Sequence, residues 1–162
     1  MNLIGKLSDG VFQIEKFLVS IFVSLMFISL TMSVIFRYAF NHPLHWADET
    51  AIFSMIWTTF IGGSMGVKRQ QAAAVTLITD KLKGAALKAM LMIAFLITFA
   101  FCLFILILAY QWISAPAIWF QNSTSMNLPM FYPYLSVPVG FLFMTIHAFD
   151  LVLKTLTSKE VG

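Results

Sequence analysis

The residues most able to do chemistry sit in four places along the chain. Arg37 is followed eleven residues later by the adjacent carboxylates Asp48 and Glu49. An arginine–carboxylate pair at the ends of two helices joined by a short turn would fix their packing as a clasp, and the carboxylates also gain from the helix N-terminus. The competing chemistry is an ion or proton site, since ionisable groups inside a membrane are functional by default. Their place at the rim of the apolar segments favours the clasp. Gly62-Gly63-Ser64-Met65-Gly66 has the G-x-S-x-G spacing of a hydrolase nucleophile. That nucleophile needs a strand–turn–helix elbow, and here the motif lies inside an apolar helical run. The same residues place Gly62 and Gly66 at the G-x-x-x-G spacing that lets two membrane helices approach closely, which is the preferred reading.

The histidines His42, His45 and His147 fall toward opposite ends of the chain's apolar segments, a poor arrangement for paired haem ligands. His147 with Ser64 would be the core of an intramembrane hydrolase, but no further acyl-transfer machinery is visible. His147, Asp150 and Lys154 share a helical face and read as a solvated helix end. With a single cysteine, Cys102, neither an internal disulfide nor a cysteine metal site is available. No catalytic residue, resident metal or cofactor is expected, and the chain does not read as an enzyme.

These groups are positioned by elements that water would not tolerate. Of 162 residues, 60% are hydrophobic and 10% charged, against about 25% charged in a soluble domain. Mean hydropathy is +0.88, so lipid is the solvent. A helix needs about 20 apolar residues to cross the hydrocarbon core. The uncharged run 17–36 supplies one span, too long for the core of a cleaved signal peptide. Pro43 marks a turn, and a second span runs over 48–67 before Lys68-Arg69. From residue 89 to 149 there is no Asp, Glu, Lys or Arg, and prolines with a polar stretch divide this run into spans at 89–112 and 134–153. The loop between them carries Trp119, Tyr132 and Tyr134, types that favour the headgroup level. The stripes Leu3, Leu7, Val11, Ile14 and Val75, Ile78, Leu82 predict short amphipathic segments lying flat on the surface, over 3–14 and 74–84.

The prediction is therefore an all-α integral membrane protein, one domain over 1–162, with four transmembrane helices and short interfacial amphipathic helices. Nine of the ten lysines and arginines share one side, and only Arg37 lies on the other, which predicts cytoplasmic N- and C-termini. No span carries a charge at its middle, and there is no inverted repeat or pair of broken helices. A self-sufficient four-helix transporter is thus disfavoured, and a supporting subunit beside a larger membrane protein is preferred. An anchor for another membrane complex is the remaining alternative. Nothing points to nucleic acid.

The ordered set Arg37-Tyr38-x-Phe40-Asn41-x-Pro43-Leu44-x-Trp46-Ala47-Asp48-Glu49, then Trp57, Phe60-Ile61-Gly62-Gly63, Lys68-Arg69, Asp80-Lys81-Leu82, Pro129, Tyr132 and Val137-Pro138-Val139-Gly140-Phe141 resembles the small membrane subunit, DctQ-like, of the tripartite ATP-independent periplasmic (TRAP) transporters. The resemblance spans nearly the whole chain. The family often shows a histidine where this chain has Ala72-Ala73-Ala74, so any role of that histidine does not carry over. The resemblance implies an inner-membrane, multi-pass scaffold for a large transport subunit. That subunit would take an organic acid, of C4-dicarboxylate or sialic acid type, from a periplasmic binding protein and move it by sodium symport, with sodium coupling in the large subunit. Arg37, Trp46, Asp48, Glu49, Gly62, Gly66, Arg69 and Asp80 are then structural or interface candidates. Trp119, Tyr132 and Tyr134 mark a face for docking the binding protein.

Overall fold

The computed structural model describes residues 3–69 and 84–157. The first helix, α1, runs Leu3–Ala39, and α2 runs His45–Lys68. The third long helix, α3, spans Ala85–Ile113, followed by the single turns α4 (Pro116–Trp119) and α5 (Phe131–Tyr134) and the last long helix, α6 (Ser136–Thr157). Four helical stretches, Leu3–Ala39, His45–Lys68, Ala85–Ile113 and Phe131–Thr157, are long and apolar enough to cross a membrane. All but the last residue of the surface segment expected at 74–84, and Asp80 within it, lie outside the described residues.

The segment expected to lie flat over 3–14 is instead continuous with the first span. At 1.5 Å per residue, 37 residues make a rod of about 55 Å against a hydrocarbon core of about 30 Å. With the uncharged run beginning at Phe17, the first four turns stand outside the hydrocarbon. The stripe Leu3, Leu7 and Ile14 is exposed, while the opposite stripe, Gly5, Ser8, Glu15, Ser29 and Ser33, is buried. The polarity is reversed relative to a helix in water. Lipid is as apolar as leucine, so only close packing and hydrogen bonding select what faces a neighbouring helix.

The long helices pack as a row rather than a closed bundle. α1 lies along α2, α2 along α6, and α6 along α3. α1 touches α6 more sparingly, whereas α3 makes no comparable contact with α1 or α2. Phe22 stacks on Trp57 between α1 and α2, Phe60 meets Phe141 between α2 and α6, and Phe99 meets Phe149 between α3 and α6. Among the glycines the tightest approach is at Gly140, where an added Cβ would sit 2.7 Å from the Phe60 Cβ and 3.2 Å from its carbonyl oxygen. Around Gly62 and Gly66 an added Cβ would meet nothing within 4 Å, so the G-x-x-x-G pair serves no helix interface among the described residues. The intramolecular contact falls one residue over, at Gly63, against the end of the Met144 side chain.

Candidate functional site

Polar side chains gather at the two ends of the row. At the Arg37 end, α1 is closed by Asn41 in the left-handed region (φ 49°), with the His42 N–H reaching the Phe36 carbonyl. Asparagine tolerates this conformation better than most residues. The turn brings α2 back antiparallel, so that the Arg37 guanidinium donates to Asp48 at 2.9 Å and the Ser33 hydroxyl donates to the other Asp48 oxygen. The Arg37–Asp48 clasp expected from the spacing is therefore formed. Trp46 stands beside it, partly exposed.

Glu49 does something different from its neighbour. It accepts from the Ser123 hydroxyl at 2.9 Å, from the Thr124 hydroxyl at 3.3 Å, and from the backbone N–H groups of Ser125 and Met126 at 3.1 and 2.9 Å. One carboxylate thus organises the loop between α4 and α5. The Ser123 N–H to Leu128 carbonyl bond, the Met130 N–H to Gln121 carbonyl bond and Asn127 at φ 52° close the loop around it. Thr50 adds a contact to the Met126 sulfur. Trp119 stacks on Phe131 and Tyr134 packs on Trp112, so the expected aromatic face exists, with Trp119 and Tyr132 more than half exposed. Beside it, an apolar groove of about 810 Å³ opens between α3 and α6, with Tyr110 and Leu142 among its lining residues.

At the termini end, three helices bury a second cluster. The His147 Nδ1 lies 2.8 Å from the Ser8 hydroxyl and its Nε2 lies 3.0 Å from the Glu15 carboxylate, with both His147 and Glu15 fully buried. Lys68 of α2 donates to Ser8 and to Asp9, and lies 3.5 Å from Asp150. Lys154 donates to Asp150 at 2.7 Å. The reading of His147 and Asp150 as a solvated helix end is thus corrected, since they are 0% and 2% exposed. The cause is the length of α1, whose first four turns cover this face of α6.

The signal for this cluster was present at Ser8, Glu15, Phe22 and Ser29, which recur every seven residues. The apolar stripe Leu3, Leu7, Val11, Ile14 points instead to a segment flat on the surface, which would leave Ser8 and Glu15 facing water. His147 meets Ser8 and Glu15 rather than Ser64, whose buried hydroxyl has no hydrogen-bond partner among the described residues. The Ser64–His147 pair weighed for an intramembrane hydrolase does not form, and the described residues contain no group of three or more histidine, cysteine or acidic side chains placed to hold a metal ion.

Polar clusters thus tie the helices together at both ends of the row, with mainly apolar and aromatic packing between them. The profile of the family described as "Tripartite ATP-independent periplasmic transporters, DctQ component" matches residues 26–158. The chain belongs to that family. It is similar to the C4-dicarboxylate TRAP transporter small permease protein of Vibrio cholerae, 26% identical over 96% of this chain and 75% of that one. It is also similar to the ectoine TRAP transporter small permease protein of Halomonas elongata, 23% identical over 99% of this chain and 83% of the relative. A TRAP transporter small permease protein described as putative, from Haemophilus influenzae, is 28% identical over 73% of this chain and 66% of the relative. As a DctQ component the chain is a small permease subunit of a TRAP transporter, a multi-pass protein of the inner membrane and not an enzyme. The family match covers the Arg37–Asp48 clasp, the Glu49 loop and the His147 end of the second cluster, while Ser8 and Glu15 lie before its first residue.

Proposed function

We propose that this subunit is the fixed frame of the transporter. It holds a large membrane subunit in place while that subunit takes an organic acid from a periplasmic binding protein and moves it by sodium symport. The observation that carries this reading is the row arrangement. In the four apolar windows only 11–39% of residues are buried within the chain. Side chains such as Phe27, Ile97, Phe104 and Tyr110 are exposed along broad apolar faces. A self-contained transporter would enclose its path, whereas a slab offers its face to a neighbour. Gly62 and Gly66, open within this chain, suit close approach by a partner helix.

With the termini cytoplasmic, as the basic residues predict, the Arg37–Asp48 clasp, the Glu49 loop and the aromatics Trp119, Tyr132 and Tyr134 face the periplasm. There they form a rigid platform suited to the binding protein. Among the substrate types weighed from the sequence, a C4-dicarboxylate has the support of the Vibrio cholerae relative, and sialic acid has none. The relatives, named for C4-dicarboxylate and for ectoine, support a reading in which small subunits of this kind accompany transporters of different cargo. Substrate choice therefore belongs to the partners.

The test is to purify the tagged chain from its native membrane in mild detergent and to measure uptake in a strain lacking it. Co-purification of one large multi-span protein at near one-to-one stoichiometry, with sodium-dependent uptake lost in the deletion strain, is expected. A chain that emerges alone and moves solute by itself in liposomes would overturn the reading.

A further inference from the structure

We infer that Lys16 and Arg69 form a headgroup site for an anionic phospholipid at the termini end of the α1–α2 pair. Both cations converge on one aromatic ring. The Lys16 Nζ lies 4.7 Å and the Arg69 Cζ 5.2 Å from the centre of Phe12. The two charges are thus within about 10 Å of one another, roughly one Debye length at 0.1 M salt, and repel. Both side chains are exposed, and neither has a carboxylate within ion-pair distance among the described residues. The nearby acids are already taken. Asp9 serves Lys68, Glu15 faces His147, and Asp150 holds Lys68 and Lys154. Among the described residues no carboxylate is left to balance Lys16 and Arg69.

Depth identifies the class of anion that suits them. The uncharged run of α1 begins at Phe17, immediately after Lys16, and that of α2 ends at Val67, just before Lys68 and Arg69. Both cations therefore stand at the hydrocarbon boundary, the level of lipid phosphates. Phe17 is 67% exposed to the lipid side, and one turn from Lys16 a shallow apolar groove of about 390 Å³ opens along Phe17, Ser20, Ile21, Ser24, Leu25 and Ile28. From Phe17 to Ile28 it follows the helix for about 16 Å, a path for an acyl chain. A guanidinium fork and an ammonium together suit a phosphodiester oxygen pair. A free phosphate would use the same cations but leave the groove unused.

The full-length chain, delipidated in detergent, is titrated with phosphatidylglycerol, with phosphatidylcholine and with inorganic phosphate, and binding is followed by native mass spectrometry and thermal melting. Phosphatidylglycerol is expected to bind and stabilise over phosphatidylcholine. K16Q and R69Q each weaken it about fivefold, and the double variant weakens it about 30-fold, as expected for roughly one basic residue's attraction apiece. K16R retains binding, and K6Q, which removes an exposed charge further along α1, changes it less than about twofold. Equal loss in K6Q would mean diffuse attraction to a basic surface and would overturn the site. So would equal protection by inorganic phosphate, which makes the ligand a free anion. The same fivefold losses are expected in the assembly with its co-purified membrane partner. Their disappearance there would hand the two cations to a partner carboxylate and also overturn the proposal.

Discussion

Adjacent carboxylates at the start of α2 have separate duties. Asp48 ties α2 to α1 through Arg37 and Ser33, and Glu49 ties α2 to the loop before α5. Neighbours on a helix point about 100° apart, so a pair that looks redundant in sequence serves two directions. Glu49→Gln removes the charge that collects two hydroxyls and two backbone N–H groups. Hydrogen bonds to a charged acceptor contribute about 1.5–3 kcal/mol each, so amide protection at Ser125 and Met126 should fall at least roughly tenfold, read by hydrogen exchange. Unchanged protection at those two amides would show that the loop holds without Glu49.

The buried Glu15–His147 pair carries a stake of another kind. Removing His147 leaves the Glu15 carboxyl buried without a partner among the described residues, at a cost of about 1–3 kcal/mol, whereas replacing both with apolar groups is close to neutral. His147→Leu should therefore destabilise the folded chain by about that amount, and adding Glu15→Met should recover most of it, measured by thermal unfolding in detergent. A double variant no better than the single one would count against the pairing.

At the scale of helices, the glycines discriminate between contacts inside the chain and surfaces left open. Gly140→Ala presses a methyl against the Phe60 backbone, which cannot yield without moving α2 from α6, and should cost about 1–3 kcal/mol. Gly63→Ala meets only the flexible end of Met144 and should be nearly neutral. Gly62→Ala and Gly66→Ala should leave the isolated chain's melting temperature unchanged while weakening recovery of the large subunit in co-purification. The two readouts separate fold from assembly. A loss of melting temperature in those two variants would place them inside the chain's own packing after all.

At the scale of the whole molecule, the row of helices has two chemically distinct ends, and its orientation decides which partner meets which. The basic residues predict that the Arg37 end is periplasmic. In a Cys102→Ser background, His42→Cys should label with a membrane-impermeant maleimide added outside spheroplasts, and Lys6→Cys only after the membrane is opened. The reverse pattern would invert the frame and move the Glu49 loop away from any binding protein. An orientation confirmed in this way would also put the Lys16–Arg69 cation pair at the cytoplasmic leaflet.

The number of spans, their approximate places and the Arg37–Asp48 clasp were legible in the sequence. Each depends on local quantities, namely the length of an uncharged run, the sign of its flanks and the reach of a short turn. The way the helices pair was not legible. A soluble helix announces its buried face by apolar residues, but on α1 the apolar stripe Leu3, Leu7, Ile14 faces outward, and serines and a glutamate face the neighbouring helices. The G-x-x-x-G spacing of Gly62 and Gly66 is real, yet an added Cβ meets no described atom at either, whereas at Gly63 it meets the end of the Met144 side chain. The second cluster needed Ser8 and Glu15 from one end of the chain, Lys68 from its middle, and His147 and Asp150 from the other end. Sequence distance carries no information about such a meeting. Only the antiparallel packing of α1 on α2, with α6 across both, brings these residues to one depth, where a charge can be buried because its partner is buried with it.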